Sequence, residues 1–171
     1  MTPLGSEQKQ ETTIEKIVTY SDSSGFKFDY PEDLTIKDLS GEAQNIYSSL
    51  EISSDKEAGK MTIKIIDSPY DSLESFLSSK EDRGAGVSRD LTLSLMTAKQ
   101  IQFPIAKKLV TVAITDGIEY LLESPSDDGS YWNKIHSQIA ASFSVETESA
   151  STAGEDVSND QVASDEEEGI E

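Results

Sequence analysis

Cysteine is absent from this chain of 171 residues. That excludes a disulfide framework, a thiolate nucleophile and any thiolate-held metal centre. Histidine occurs once, as His136, so no histidine pair is available to hold an ion. Basic residues are scarce: 14 Lys and Arg stand against 33 Asp and Glu, a formal charge of −19. Nucleic acid is therefore not an expected partner, because phosphate contacts need clustered Lys and Arg. Anionic membrane surfaces are disfavoured by the same sign of charge. No apolar run approaches the ~20 residues that cross a bilayer. Residues 1–10 are polar after Leu4 and lack the apolar core of a signal peptide. Membrane insertion by this segment is not expected.

Apolar residues make up only 35% of the chain, low for a fully packed protein. The charge indicates which part stays outside a core. From Glu146 onward there are ten acidic and no basic residues, so the tail carries −10 of the −19 and the rest −9. Such a segment has too little apolar surface to offset the entropy of ordering it. Residues 146–171 are read as a disordered acidic tail and residues 1–13, polar and aperiodic, as a disordered linker. Residues 14–145 remain as one globular domain, expected to be a monomer.

What this domain does have is alternation. Gly25-Phe-Lys-Phe-Asp-Tyr-Pro31 puts Phe26, Phe28 and Tyr30 on one side of a period-2 pattern, as a half-buried strand requires. A first strand is expected over 14–20, and further strands around Leu34 and Ile36, over 46–53, and through Met61, Ile63 and Ile65. Leu91–Leu93–Leu95, Ile101–Phe103–Ile105 and Val110–Val112–Ile114 alternate in the same way. Asp116-Gly117 lies between the last of these and Ile118, Tyr120 and Leu122, the pattern of a type I′ hairpin.

Two helices are expected. Asp71, with Glu74 three residues on, resembles a capping box before Leu73, Phe76 and Leu77. Trp132, Ile135, Ile139 and Phe143 recur at helical spacing on one face, and this second helix is expected to run to about Val145, with Trp132 in the core. Strand runs broken by only two helices imply an α+β fold, an antiparallel sheet flanked by helices.

The segment 19–31, Thr-Tyr-Ser-Asp-Ser-Ser-Gly-Phe-Lys-Phe-Asp-Tyr-Pro, resembles the "G-F-x-F-x-Y-P" opening motif of the PsbP-like proteins. Ile118-Glu-Tyr-Leu-Leu122 and the ending Ile139-Ala-Ala-Ser-Phe-Ser-Val145 are similar to that family's closing pattern. The resemblance spans about residues 18–145. It implies the α/β/α sandwich that PsbP-like domains share with the Ran-binding protein Mog1. It also implies a non-catalytic, protein-binding domain in an extracytoplasmic setting, as in photosystem subunits and exported bacterial lipoproteins. A cytosolic Mog1-like regulator of a small GTPase and a hydrolase on the same scaffold are the alternatives.

The residues themselves offer few sites. Ser53-Ser-Asp-Lys56 matches Ser-x-x-Lys only by letter, and no Gly-x-Ser-x-Gly elbow exists. Gly84-Ala-Gly86 lacks the third glycine of a dinucleotide loop and reads as linker. His136 is expected at the surface or at the edge of the apolar helix face. Asp127 and Asp128 are the candidate metal ligands, for a weak Ca²⁺ site, although no EF-hand spacing surrounds them. Tyr131 is the candidate partner-binding residue, since exposed aromatics anchor interfaces. No other cofactor is expected, and the expected partner is a protein.

Overall fold

The computed structural model describes residues 15–41, 43–81, 84, 86–126 and 130–146. The linker 1–13 lies outside these residues, as does all of the acidic tail except Glu146. In chain order the strands are β1 (Ile17–Ser21), β2 (Phe26–Pro31), β3 (Leu34–Asp38), β4 (Ile46–Ser54) and β5 (Lys60–Asp67). Helix α1 (Leu73–Glu81) follows, then β6 (Ser88–Leu93), β7 (Met96–Phe103), β8 (Lys108–Thr115) and β9 (Ile118–Pro125). Helix α2 (Ser130–Ser142) and the short β10 (Ser144–Val145) close the fold.

Seven strands form one antiparallel sheet in the order β3-β4-β5-β9-β8-β7-β6. The fold is α+β, as the alternation requires. A separate three-stranded sheet, β1-β2-β10, is an addition to the expected layering. It shares one face of the large sheet with α2, and Phe26, Phe28, Leu122, Ile135, Ile139 and Phe143 pack there in the main core. Helix α1 covers the opposite face only over β7, β8 and β9, where Phe76 meets Ile101, Phe103, Val110 and Val112. Among the described residues no helix is long and apolar enough to cross a membrane.

Local chemistry explains the boundaries. The β8–β9 hairpin turns at Asp116 and Gly117 with φ of 51° and 76°, both positive as a type I′ turn needs. Leu95 and Ile105 do not extend their strands. They sit in turns after β6 and β7 and are 88% and 87% exposed. The cap of α1 is Ser72 rather than Asp71: Ser75 N–H donates to Ser72 Oγ at 3.2 Å, and Ser72 N–H to Ser75 Oγ at 3.3 Å. The box is thus built one residue later from two serines.

Helix α2 stops at Ser142, short of Val145. There Phe143 leaves the helix to stack on Phe26 with centroids 5.4 Å apart. The next two residues then pair with Phe26 and Lys27.

Gly59 holds the β4–β5 connection against α2. Its φ is +95°, and a Cβ there would stand 2.9 Å from Pro125 Cγ and 3.1 Å from Trp132 Nε1. Trp132 is core, as expected, 4% exposed, with its indole N–H donating to Ala58 O at 2.6 Å. Gly59→Ala should therefore cost about 2–3 kcal/mol, from backbone strain plus collision. Gly117→Ala, with φ +76° and nothing within 4 Å, should cost only about 1 kcal/mol. Urea denaturation of the two variants separates these contributions, and equal losses would show that Gly59 is not tightly packed.

Candidate functional site

Two groups of polar side chains lie inside the large sheet, one on each face. On the α2 face, cross-strand neighbours Arg89, Gln100 and Thr111 form a row. Arg89 Nε–H donates to Gln100 Oε1 at 2.7 Å, and the Gln100 amide donates to Thr111 Oγ1 at 3.2 Å. Thr111 Oγ1 then lies 2.7 Å from His136 Nε2, and His136 Nδ1 lies 2.8 Å from Ser124 Oγ. Because Thr111 already accepts from Gln100, its own proton is free to donate to Nε2. With Nδ1–H donating to Ser124, this neutral tautomer satisfies both ring nitrogens.

His136 is 0% exposed, so the sequence expectation of a surface or edge histidine is corrected. It fits the core because Thr111 and Ser124 offer a hydroxyl to each ring nitrogen, so its burial leaves neither unpaired. That pairing of α2 with β8 and β9 could not be read from a single chain. Burial first, then the charge of Arg89, pulls the imidazole down to a pKa of about 4.

On the α1 face the same strands open into a cleft of about 360 Å³, lined by Pro69, Tyr70, Phe76, Lys80, Phe103 and Glu119 among others. Its position follows from the pattern of β9. Glu119, Leu121 and Glu123 alternate with Tyr120 and Leu122, so the acidic side chains face α1 while the others face the main core. Glu119 is 4% exposed, and its Oε2 has no hydrogen-bond partner. Burial, opposed by the charge of Lys80, raises its carboxyl above the ordinary glutamate range.

Lys80 Nζ stands 5.0 Å from the Phe76 ring centroid and 5.8 Å from that of Tyr70. Lys108, at the rim, is paired with Glu123 at 2.6 Å. The floor is thus aromatic and aliphatic, with one under-satisfied carboxyl group.

A carboxylate held in this way costs stability. Its raised pKa means the cost is absent below the unfolded value and grows as pH rises through the folded one. Glu119→Gln should stabilise the domain by about 1 kcal/mol at neutral pH, with the gain vanishing in acid. Denaturation at several pH values checks both the sign and its disappearance.

The cleft was not among the sequence candidates. Its signal was the pair Leu121-Leu122, two adjacent apolar residues on a strand, which implies that both faces are covered. Of the residues singled out from sequence, Asp127 and Asp128 lie outside the described residues. Tyr131 is half-buried, packs edge-on against Trp132 with centroids 5.3 Å apart, and donates its hydroxyl to Ser54 Oγ at 3.0 Å. Gly84 and Gly86 flank the chain before β6, and Ser53 lies on β4. Among the described residues no group of three or more His, Asp or Glu side chains is gathered as for a metal.

No protein-family model matches the chain. Comparison with curated proteins finds no match either. Among solved structures, the chain is similar to the solution structure of cyanobacterial PsbP (CyanoP) from Synechocystis sp. PCC 6803. The two share 15% identity with a TM-score of 0.55, over 85% of this chain and 100% of that one. The fold is PsbP-like.

Proposed function

We propose that this chain is a non-catalytic binding domain that engages a protein partner outside the cytoplasm. It would be the globular part of a bacterial lipoprotein or another surface-tethered protein. The observation that carries the reading is the burial of the serine–histidine pair. Ser124 and His136 are in hydrogen-bond contact, yet are 1% and 0% exposed, and the second ring nitrogen is held by Thr111. A hydrolytic pair must reach a scissile carbonyl, and this one faces the core. The PsbP-like fold supports the same reading, and the acidic residues from Glu146 onward add negative charge suited to a basic partner.

A photo-crosslinking residue placed at Ile105 or Leu95, both on exposed turns, tests the proposal in cells that make the native chain. The expected result is a discrete protein adduct, together with digestion of the chain by protease added outside intact cells. Protection from external protease, with an adduct to a GTP-loaded small GTPase, would transfer the reading to the cytosolic alternative. Ester or amide turnover lost in Ser124→Ala would transfer it to a hydrolase.

A further inference from the structure

The cleft under α1 has a chemistry that the partner reading does not use. A carboxyl group is sunk beside the cleft with one oxygen unpaired. Buried polar atoms in native proteins nearly always find partners, so an exception in a residue that lines a cavity points to a missing donor. The cavity volume of about 360 Å³ lies at the lower end of the range for small-ligand sites.

The chain itself shows what charge the site attracts. Lys80, in the last turn of α1, lays its ammonium over Phe76 and Tyr70, as a cation settles on the negative face of an aromatic ring. The other lysine at the rim, Lys108, is engaged by Glu123. An anion entering the cleft would have Lys80 as a donor but would also face the Glu119 carboxyl. A cation would meet ring faces and the Glu119 carboxyl, one oxygen of which has no partner.

We propose that this cleft binds an organic cation, an amine or guanidinium N–H donor on an apolar stem, received by the Glu119 carboxylate and the faces of Phe76 and Tyr70. Lys80 is the resident stand-in, which the ligand displaces towards solvent along its flexible stem. Phe103 and Pro69 take the apolar part. The same chemistry is carried by a free small amine and by a Lys or Arg side chain of a peptide. The site is independent of which protein, if any, the rest of the surface meets.

The test is amide NMR titration of the full chain with phenethylamine, beside phenethyl alcohol and phenylacetate as neutral and anionic matches. Phenethylamine should shift resonances of Tyr70, Phe76 and Glu119 with a Kd of ~1 mM, as expected for a ligand of that size. The alcohol and the acid should bind at least about tenfold more weakly. Glu119→Gln should weaken the amine about tenfold through loss of a charge-assisted bond. Lys80→Met should instead tighten it about threefold by removing the competitor.

An acetyl-Leu-Lys-Leu-amide peptide separates the two sources. Binding at least as tight as the amine assigns the cleft to a protein side chain, and binding of the amine alone assigns it to a small molecule. Equal binding of phenylacetate or the alcohol, or an unchanged Kd in Glu119→Gln, would overturn the proposal. Weakened amine binding in Lys80→Met would do the same. If Glu119→Gln does not fold, the neutral and anionic controls on the unaltered chain decide. None of these readouts depends on a partner protein, so their failure leaves the binding-domain reading standing.

Discussion

Acidification from pH 7 to pH 4 should remove about 3 kcal/mol of stability through His136 alone. The folded imidazole titrates at about 4 instead of 6.5. Between those values the unfolded chain takes up a proton that the native chain refuses, and stability falls as pH falls. Above pH 6.5 both states are neutral and the effect is nil. His136→Gln cannot titrate and should be less stable at neutral pH by about 1–3 kcal/mol, because the hydroxyls of Thr111 and Ser124 lose ideal partners.

The decisive measurement is the difference in urea-unfolding free energy between the two proteins across this range. Contributions from carboxylates, Glu119 included, are common to both and cancel. The difference should move by about 3 kcal/mol in favour of His136→Gln as pH falls to 4, closing or reversing the neutral-pH gap. A difference that stays constant would mean that His136 takes up its proton as readily in the native as in the unfolded state, and the buried row from Arg89 to Ser124 would have to be redrawn.

Phe28→Ala should cost about 3–5 kcal/mol, the range for truncating a buried aromatic. Phe28 is 1% exposed and sits in an aromatic run, with centroids 5.3 Å from Tyr20, 6.3 Å from Phe26 and 6.0 Å from Tyr30. Domains of this size are stable by only about 5–15 kcal/mol, so the variant should be partly unfolded at moderate urea. Lys27→Ala, on the exposed side of the same strand, should change stability by less than about 0.5 kcal/mol. Comparable losses at the two positions would show that β2 does not present its aromatic face to the core.

How much of this was legible in the chain depended on whether one strand or two elements decided the matter. Phe26, Phe28 and Tyr30 alternate within six residues, and the strand they announce is there. Asp116-Gly117 is a local backbone requirement, and the hairpin forms at that dipeptide. The α+β class followed from counting such runs. That β1 and β2 leave the large sheet and pair with β10 was not visible, because Ser144 and Val145 carry no strand signal of their own. Their pairing is imposed by Phe143 turning into the aromatic stack. His136 was misplaced for the same reason, since its hydroxyl partners lie 25 and 12 residues away in sequence. Glu119 was hidden in an alternating run whose apolar members drew attention to the other face.

The small sheet has a mechanical consequence. Strands β1 and β10 flank β2 and are both antiparallel to it, so they run in the same direction. The chain enters β1 beside Pro31, while it leaves β10 beside Phe26, at the far end of that strand. Tension applied between these two points loads the hydrogen bonds lengthwise, all at once, instead of peeling them one by one. Such a clamp yields only when its bonds break together.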